Sequence, residues 1–192
     1  MSNYEDEKVL KQRDKLEREK HTSIEQGMYV GEQLIYFKMQ KLYPNGFQIV
    51  LPELFRPMEP EQIKLKYPME QRPQIIWTND NASTTFTFSL SDEKVQEAQL
   101  EQIRESLCGT ILSVNPHYIF TDKGKEAHEK GLCWWAEFLS PVLGGMLYSI
   151  FYAMHWEHKL ILGMFNCPTG YRDDWKPIVL QLMRTVCREE NK

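Results

Sequence analysis

The residues best placed to do chemistry are His155, Trp156, Glu157 and His158, two imidazoles and a carboxylate within four positions. Imidazole nitrogens and carboxylate oxygens are the donors that zinc and related ions take. A zinc hydrolase, however, sets two histidines four apart on one helical face with a glutamate between them. Here the histidines are three apart, between two apolar runs that read as strands, so the pattern is expected to be a hairpin tip, and neither a metal nor a cofactor is expected.

A cysteine nucleophile needs a nearby base and an electropositive, accessible setting. Cys133 and Cys167 could pair with His117, His128 or His155, but both lie in apolar surroundings. With Cys108 and Cys187 they form no CxxC pair, so four reduced core thiols are expected. No serine sits in a GxSxG turn, and Gly144-Gly145 has no glycine-rich phosphate loop around it. No catalytic residue is nominated. Aromatics are the remaining chemistry: Trp134, Trp135, Tyr148, Phe151, Tyr152 and Trp156, with His155 and His158, could line a binding face or pocket. On alternating strands such side chains more often fill a core.

The elements that position them read clearly. Met146, Tyr148, Ile150, Tyr152 and Met154 alternate with Leu147, Ser149, Phe151, Ala153 and His155, a strand pattern rich in aromatic and β-branched residues. Residues 160–165 follow as a nearly unbroken apolar strand, so residues 145–167 predict a hairpin near the middle of a sheet. Pro168, Gly170 and the 172–174 cluster end it, and an aspartate there is expected to cap a helix carrying Trp175, Ile178, Val179, Leu182 and Val186. Earlier, residues around 35–39 and 47–51 flank a turn at 43–46. Residues 61–67 suit a short helix, and 74–78 and 84–90 make a second hairpin. Ser91 and Asp92 are expected to cap a helix running to Asn115-Pro116. Residues 117–120 could be a strand, 122–131 read as a polar connection, and 133–139 as a strand leading back to the hairpin. Residues 1–31 read as a charged arm or solvated helix, and 32–192 as a single domain. Antiparallel hairpins interrupted by two amphipathic helices are an α+β pattern.

Composition sets broad bounds. At 192 residues, 42% hydrophobic and 12% aromatic, the chain suits one globular domain plus a tail. A net charge of −4 favours neither nucleic acid nor an anionic membrane. The first residues are too charged for a signal peptide and no apolar run approaches the ~20 residues of a membrane helix, so a cytoplasmic location is expected.

Lys66-Tyr67-Pro68, residues 72–79, residues 86–90, residues 159–163, Phe165-Asn166-Cys167-Pro168 and residues 175–179 resemble a family of bacterial proteins found mostly in Firmicutes. Its fold is similar to that of the PsbP oxygen-evolving subunit and the yeast nuclear-import factor Mog. The resemblance spans about residues 32 to 188. It implies a PsbP/Mog-like α/β/α sandwich, an antiparallel sheet with helices on both faces, and carries no catalytic residues. Those two proteins are non-enzymatic and act through partners, which implies a non-catalytic, adaptor-like protein that binds an unidentified protein partner through a sheet face or the N-terminal arm. The competing expectation is a small-molecule-binding protein or enzyme with an aromatic and histidine-lined pocket.

Overall fold

The computed structural model describes residues 2–42, 47–91, 94–128, 131–156 and 159–188. The long hairpin is its centre: β11 (Gly145–Trp156) pairs antiparallel with β12 (Lys159–Pro168) over their whole length. Around it the chain supplies β6 (Arg56–Pro57), β7 (Ile75–Thr78), β8 (Thr85–Ser91), β9 (Ile119–His128) and β10 (Gly131–Val142). Together they form a seven-stranded sheet in the order β6-β7-β8-β12-β11-β10-β9, so β12 is the middle strand. That position explains its unbroken apolar sequence, since both of its faces and both of its edges are covered.

Smaller sheets come from the N-terminal part. β1 (Thr22–Ser23), β2 (Gly27–Val30) and β3 (Gln33–Ile35) form one, and β4 (Phe37–Lys41), β5 (Phe47–Pro52) and β13 (Cys187–Arg188) the other. The helices are α1 (Ser2–Arg18), α2 (Pro60–Lys66), α3 (Leu100–Val114) and α4 (Arg172–Met183). Within the stretch read as an arm, Ile24 and Met28 are buried in the main hydrophobic cluster.

Strand alternation divides the core. Cys133 and Trp135 of β10, with Tyr148, Ile150, Tyr152 and Met154 of β11, share a cluster with Trp175, Ile178, Val179, Leu182 and Met183 of α4. Ala136, Phe138 and Phe151 instead pack with Leu107, Cys108 and Ile111 of α3, and Ala153 and Leu160 with Leu100. Trp175 is wedged among Phe165, Phe55 and Phe86 at ring-centroid distances of 5.2, 5.9 and 6.2 Å, which anchors the start of α4.

Three local readings are corrected. Residues 122–131, read as a connection, belong largely to β9. Over residues 122–128 its half-buried positions, Gly124, Glu126 and His128, are not apolar, so the alternation there is invisible to hydropathy. Ser91 does not cap α3, because pairing of β8 with β12 continues as far as Ser91 itself. A 3₁₀ turn at Glu97–Gln99 intervenes, opened by a reciprocal Gln96–Gln99 capping box, and α3 begins at Leu100. Neither aspartate caps α4, whose N-cap Tyr171 makes no side-chain cap; Asp174 accepts a hydrogen bond from Gly31 N–H at 2.8 Å instead. The turn at 43–46, Asp92, Glu157 and His158 lie outside the described residues.

Two glycines of the sheet exist to admit aromatic rings. Trp135 crosses its neighbour Gly124, where a Cβ would lie 2.7 Å from the indole. Tyr152 crosses Gly163, where a Cβ would meet the ring at 2.2 Å and the Thr87 carbonyl at 2.3 Å, and its Oη donates to that carbonyl at 2.8 Å. The β12 and β8 backbones cannot retreat without breaking the sheet. Gly163→Ala is therefore expected to destabilise the protein by about 3 kcal/mol, and to lower Tm by roughly 6–12 °C in thermal denaturation. Gly170→Ala, where a Cβ meets nothing within 4 Å, is the contrasting control.

Candidate functional site

The residues singled out from sequence do not gather in one place. Trp135, Tyr148, Tyr152 and Trp156 are buried members of the main cluster. Trp134 points the other way, half-buried, with the Arg104 guanidinium 4.5 Å and the Lys125 ammonium 5.5 Å from its ring centroid. His155 is half-buried beside Gly131, where a Cβ would lie 3.1 Å from its Nδ1 and 3.3 Å from Glu97 Oε2. His158 lies outside the described residues. Among the described residues, no group of three or more His, Cys, Asp or Glu could hold a metal. Burial pushes the Cys167 thiol up to about 12, with Asp174 adding to the effect, and pushes Cys133 well above its ordinary value. An activated nucleophile would move the other way.

A feature missed from sequence is a carboxylate on β10. Glu137 has no exposed surface, yet both of its oxygens are filled. Oε1 accepts from Thr121 Oγ1 at 2.8 Å and Arg172 Nη2 at 2.5 Å. Oε2 accepts from Tyr148 Oη at 2.5 Å and lies 3.2 Å from Lys176 Nζ, which also bonds Asp122 Oδ2 at 2.7 Å. Burial alone would raise the Glu137 carboxyl, but hydrogen bonds from Tyr148, Thr121 and Lys176 outweigh it and hold it below the ordinary value. Arg172 and Lys176 are one helical turn apart, so both cations leave the same side of α4. They also cover the rings beneath them, Arg172 at 5.4 Å from Tyr148 and Lys176 at 5.3 Å from Trp135. The only sequence signal was a lone glutamate in an otherwise apolar strand, facing two cations at helical spacing.

This network holds the first turn of α4, and that turn builds one wall of a groove. Asp174 receives Gly31 N–H, while Gly31 O accepts from Arg18 Nη2 at 2.9 Å, tying the β2–β3 turn to α4 and to the end of α1. Gly31 sits at φ +57°, which glycine tolerates without strain. A second wall is the β7–β8 connection, stiffened by its own side chains: Asn79 Oδ1 accepts from Thr84 N–H at 3.0 Å, and Asn81 Oδ1 from Ser83 N–H at 3.0 Å. Asp80 pairs with Arg56. The resulting groove, about 740 Å³, runs between Gly31, Glu32, Leu54, residues 79–81 and Tyr171, with Phe55 and Trp175 also lining it. Leu54 is 66% and Tyr171 44% exposed, both apolar enough to prefer cover. In the sequence, residues 79–81 only separate the two strands of the second hairpin.

No family model matches the chain, and no curated protein matches it. Solved structures do. Cyanobacterial PsbP (CyanoP) from Synechocystis sp. PCC 6803 superposes with a TM-score of 0.59 at 9% identity, over 84% of this chain and 98% of that one. The Ran-binding protein Mog1p of Saccharomyces cerevisiae gives a TM-score of 0.56 at 10% identity, over 80% and 96%. A mutant form of Mog1 gives 0.55 at 10% identity, over 81% and 97%. At these identities the likeness establishes a PsbP/Mog-like fold, as the sequence resemblance implied.

The Glu137 network generates an asymmetric expectation. Arg172 and Lys176 reach water on one side, whereas Glu137 does not. Replacing both cations by alanine strands a buried carboxylate and should cost about 3–5 kcal/mol, while Glu137→Gln should cost less and should partly rescue the double variant. Because the folded carboxyl lies below its unfolded value of 4.5, its stabilisation is present at neutral pH and is lost as pH falls through the folded value. Urea titrations across pH should therefore show acid destabilisation that is weaker in Glu137→Gln.

Proposed function

We propose that this protein is a non-catalytic, adaptor-like module of the cytoplasm that binds a protein partner in the groove between the β2–β3 turn, the β7–β8 connection and the first turn of α4. The observation that carries this reading is the pair of exposed apolar side chains, Leu54 and Tyr171, on the rim of a groove already formed and braced. Exposed aromatic and aliphatic side chains beside a pocket are the usual anchors of protein interfaces. The polar side chains around them, Asn79, Asn81 and Glu32, suit the polar rim such interfaces have.

A shared fold supports the reading without deciding it, since a fold hosts unrelated functions. It includes a protein named for binding Ran, and we read the chain as the same α/β/α sandwich in a bacterial setting. The groove replaces the sheet faces as the favoured surface, because side chains of α3 and α4 cluster with both of them. Among the described residues no helix is long and apolar enough to cross a membrane.

Affinity capture with the full chain from its native cells tests this. A partner should be retained by wild type and by Leu65→Ala on α2, and lost with Leu54→Asp and with Tyr171→Ala. In a purified pair, each alanine variant at Leu54 or Tyr171 should weaken binding about thirtyfold, the effect of ~2 kcal/mol. Partners captured equally by all variants would overturn the assignment.

A further inference from the structure

The opposite face of the sheet holds a second concavity. α3 packs over β10 and β11, leaving β8 and β12 to be covered by the connection between α2 and β7. These two covers do not meet. Between Leu107 and Ile111 of α3 and Tyr67 and Pro73 of the connection lies a cavity of about 340 Å³, floored by Leu162 and Met164. Two prolines, Pro68 and Pro73, restrict the backbone of the connection.

One wall is polar and held rigidly. Tyr67 hydrogen-bonds Thr85, Asn166 Nδ2 donates to Thr85 Oγ1 at 3.3 Å, and Asn166 Oδ1 accepts from Ser149 Oγ at 2.8 Å. Thr87 Oγ1 is occupied by the Met164 backbone. Ser89 also lines the cavity, and its hydroxyl has no protein partner among the described residues. Among the described residues no Asp, Glu, Lys or Arg borders the space.

We propose that this cavity binds a neutral, largely apolar small molecule about the size of two fused rings, bearing one hydroxyl or carbonyl that meets Ser89. The size follows from volume, since an apolar cavity of about 150 Å³ holds one benzene ring and this one is about 340 Å³. Neutrality follows from the lining, because an ionised ligand would lose its hydration with no counter-charge in reach. This site is separate from the groove at Leu54 and Tyr171, and the two readings stand or fall independently.

The test is titration calorimetry of the full chain with 1-naphthol, with naphthalene-1-sulfonate as the charged comparator. Stoichiometric binding of 1-naphthol, at least tenfold tighter than the sulfonate, is expected. Ser89→Ala should weaken it about fivefold, the loss of one neutral hydrogen bond. Leu162→Trp, which fills the floor, should abolish binding while circular dichroism and Tm report an intact fold; if that variant fails to fold, Ile111→Phe fills the space from the α3 side and serves in its place. Absence of 1-naphthol binding, equal binding of the sulfonate, or undiminished binding in a folded cavity-filled variant would each overturn the proposal.

Discussion

A carboxylate with no access to water is tolerable only when opposite charge and hydrogen-bond donors come to it. Glu137, on β10, meets that condition by drawing on both neighbouring strands and a helix, namely Thr121 of β9, Tyr148 of β11, and Arg172 and Lys176 of α4. Apolar burial would hold α4 against the sheet in several sliding positions. Two directed contacts from α4 to one buried group, which Thr121 and Tyr148 fix within the sheet, select a single register. Everything at the start of α4 inherits that register, including Asp174 on Gly31, Tyr171 on the groove rim and Trp175 among the phenylalanines.

The sheet beneath is made equally specific by large rings laid over glycines. Tyr152 on Gly163 and Trp135 on Gly124 pin neighbouring strands, since a one-residue slip would set each ring against a Cβ. Trp135 joins the two devices, because its ring lies on Gly124 and under Lys176. The aromatic residues with the look of a binding surface are largely spent on this internal architecture. Binding capacity is left to the places where covering elements end: loop ends beside α4, and the gap between α3 and the α2–β7 connection.

Those places differ in chemistry, which separates what each could hold. The groove is broad, with asparagine, aspartate and glutamate beside exposed Leu54 and Tyr171, a mixture suited to a peptide surface. The cavity is small and uncharged, suited to a compact molecule. Neither depends on nucleophilic thiols, which burial keeps protonated at Cys133 and Cys167.

Local pattern alone determined the central hairpin, the second hairpin of β7 and β8, the pairing of β4 with β5, and α4, because periodicity in these segments is carried by apolar side chains meeting one core. It failed over residues 122–128 of β9, where the half-buried positions are Gly124, Glu126 and His128, and at the start of α3, where continued pairing with β12 overrode a serine cap. It also expected an aspartate of the 172–174 cluster to cap the helix, whereas Asp174 takes Gly31, 143 residues away, as its partner. The candidate sites were decided entirely by tertiary structure. Leu54, residues 79–81 and Tyr171 share no periodicity, and the helical spacing of Arg172 and Lys176 says nothing of Glu137; only the folded chain brings them together, since convergence between distant segments leaves no mark on the spacing of residues within any one of them.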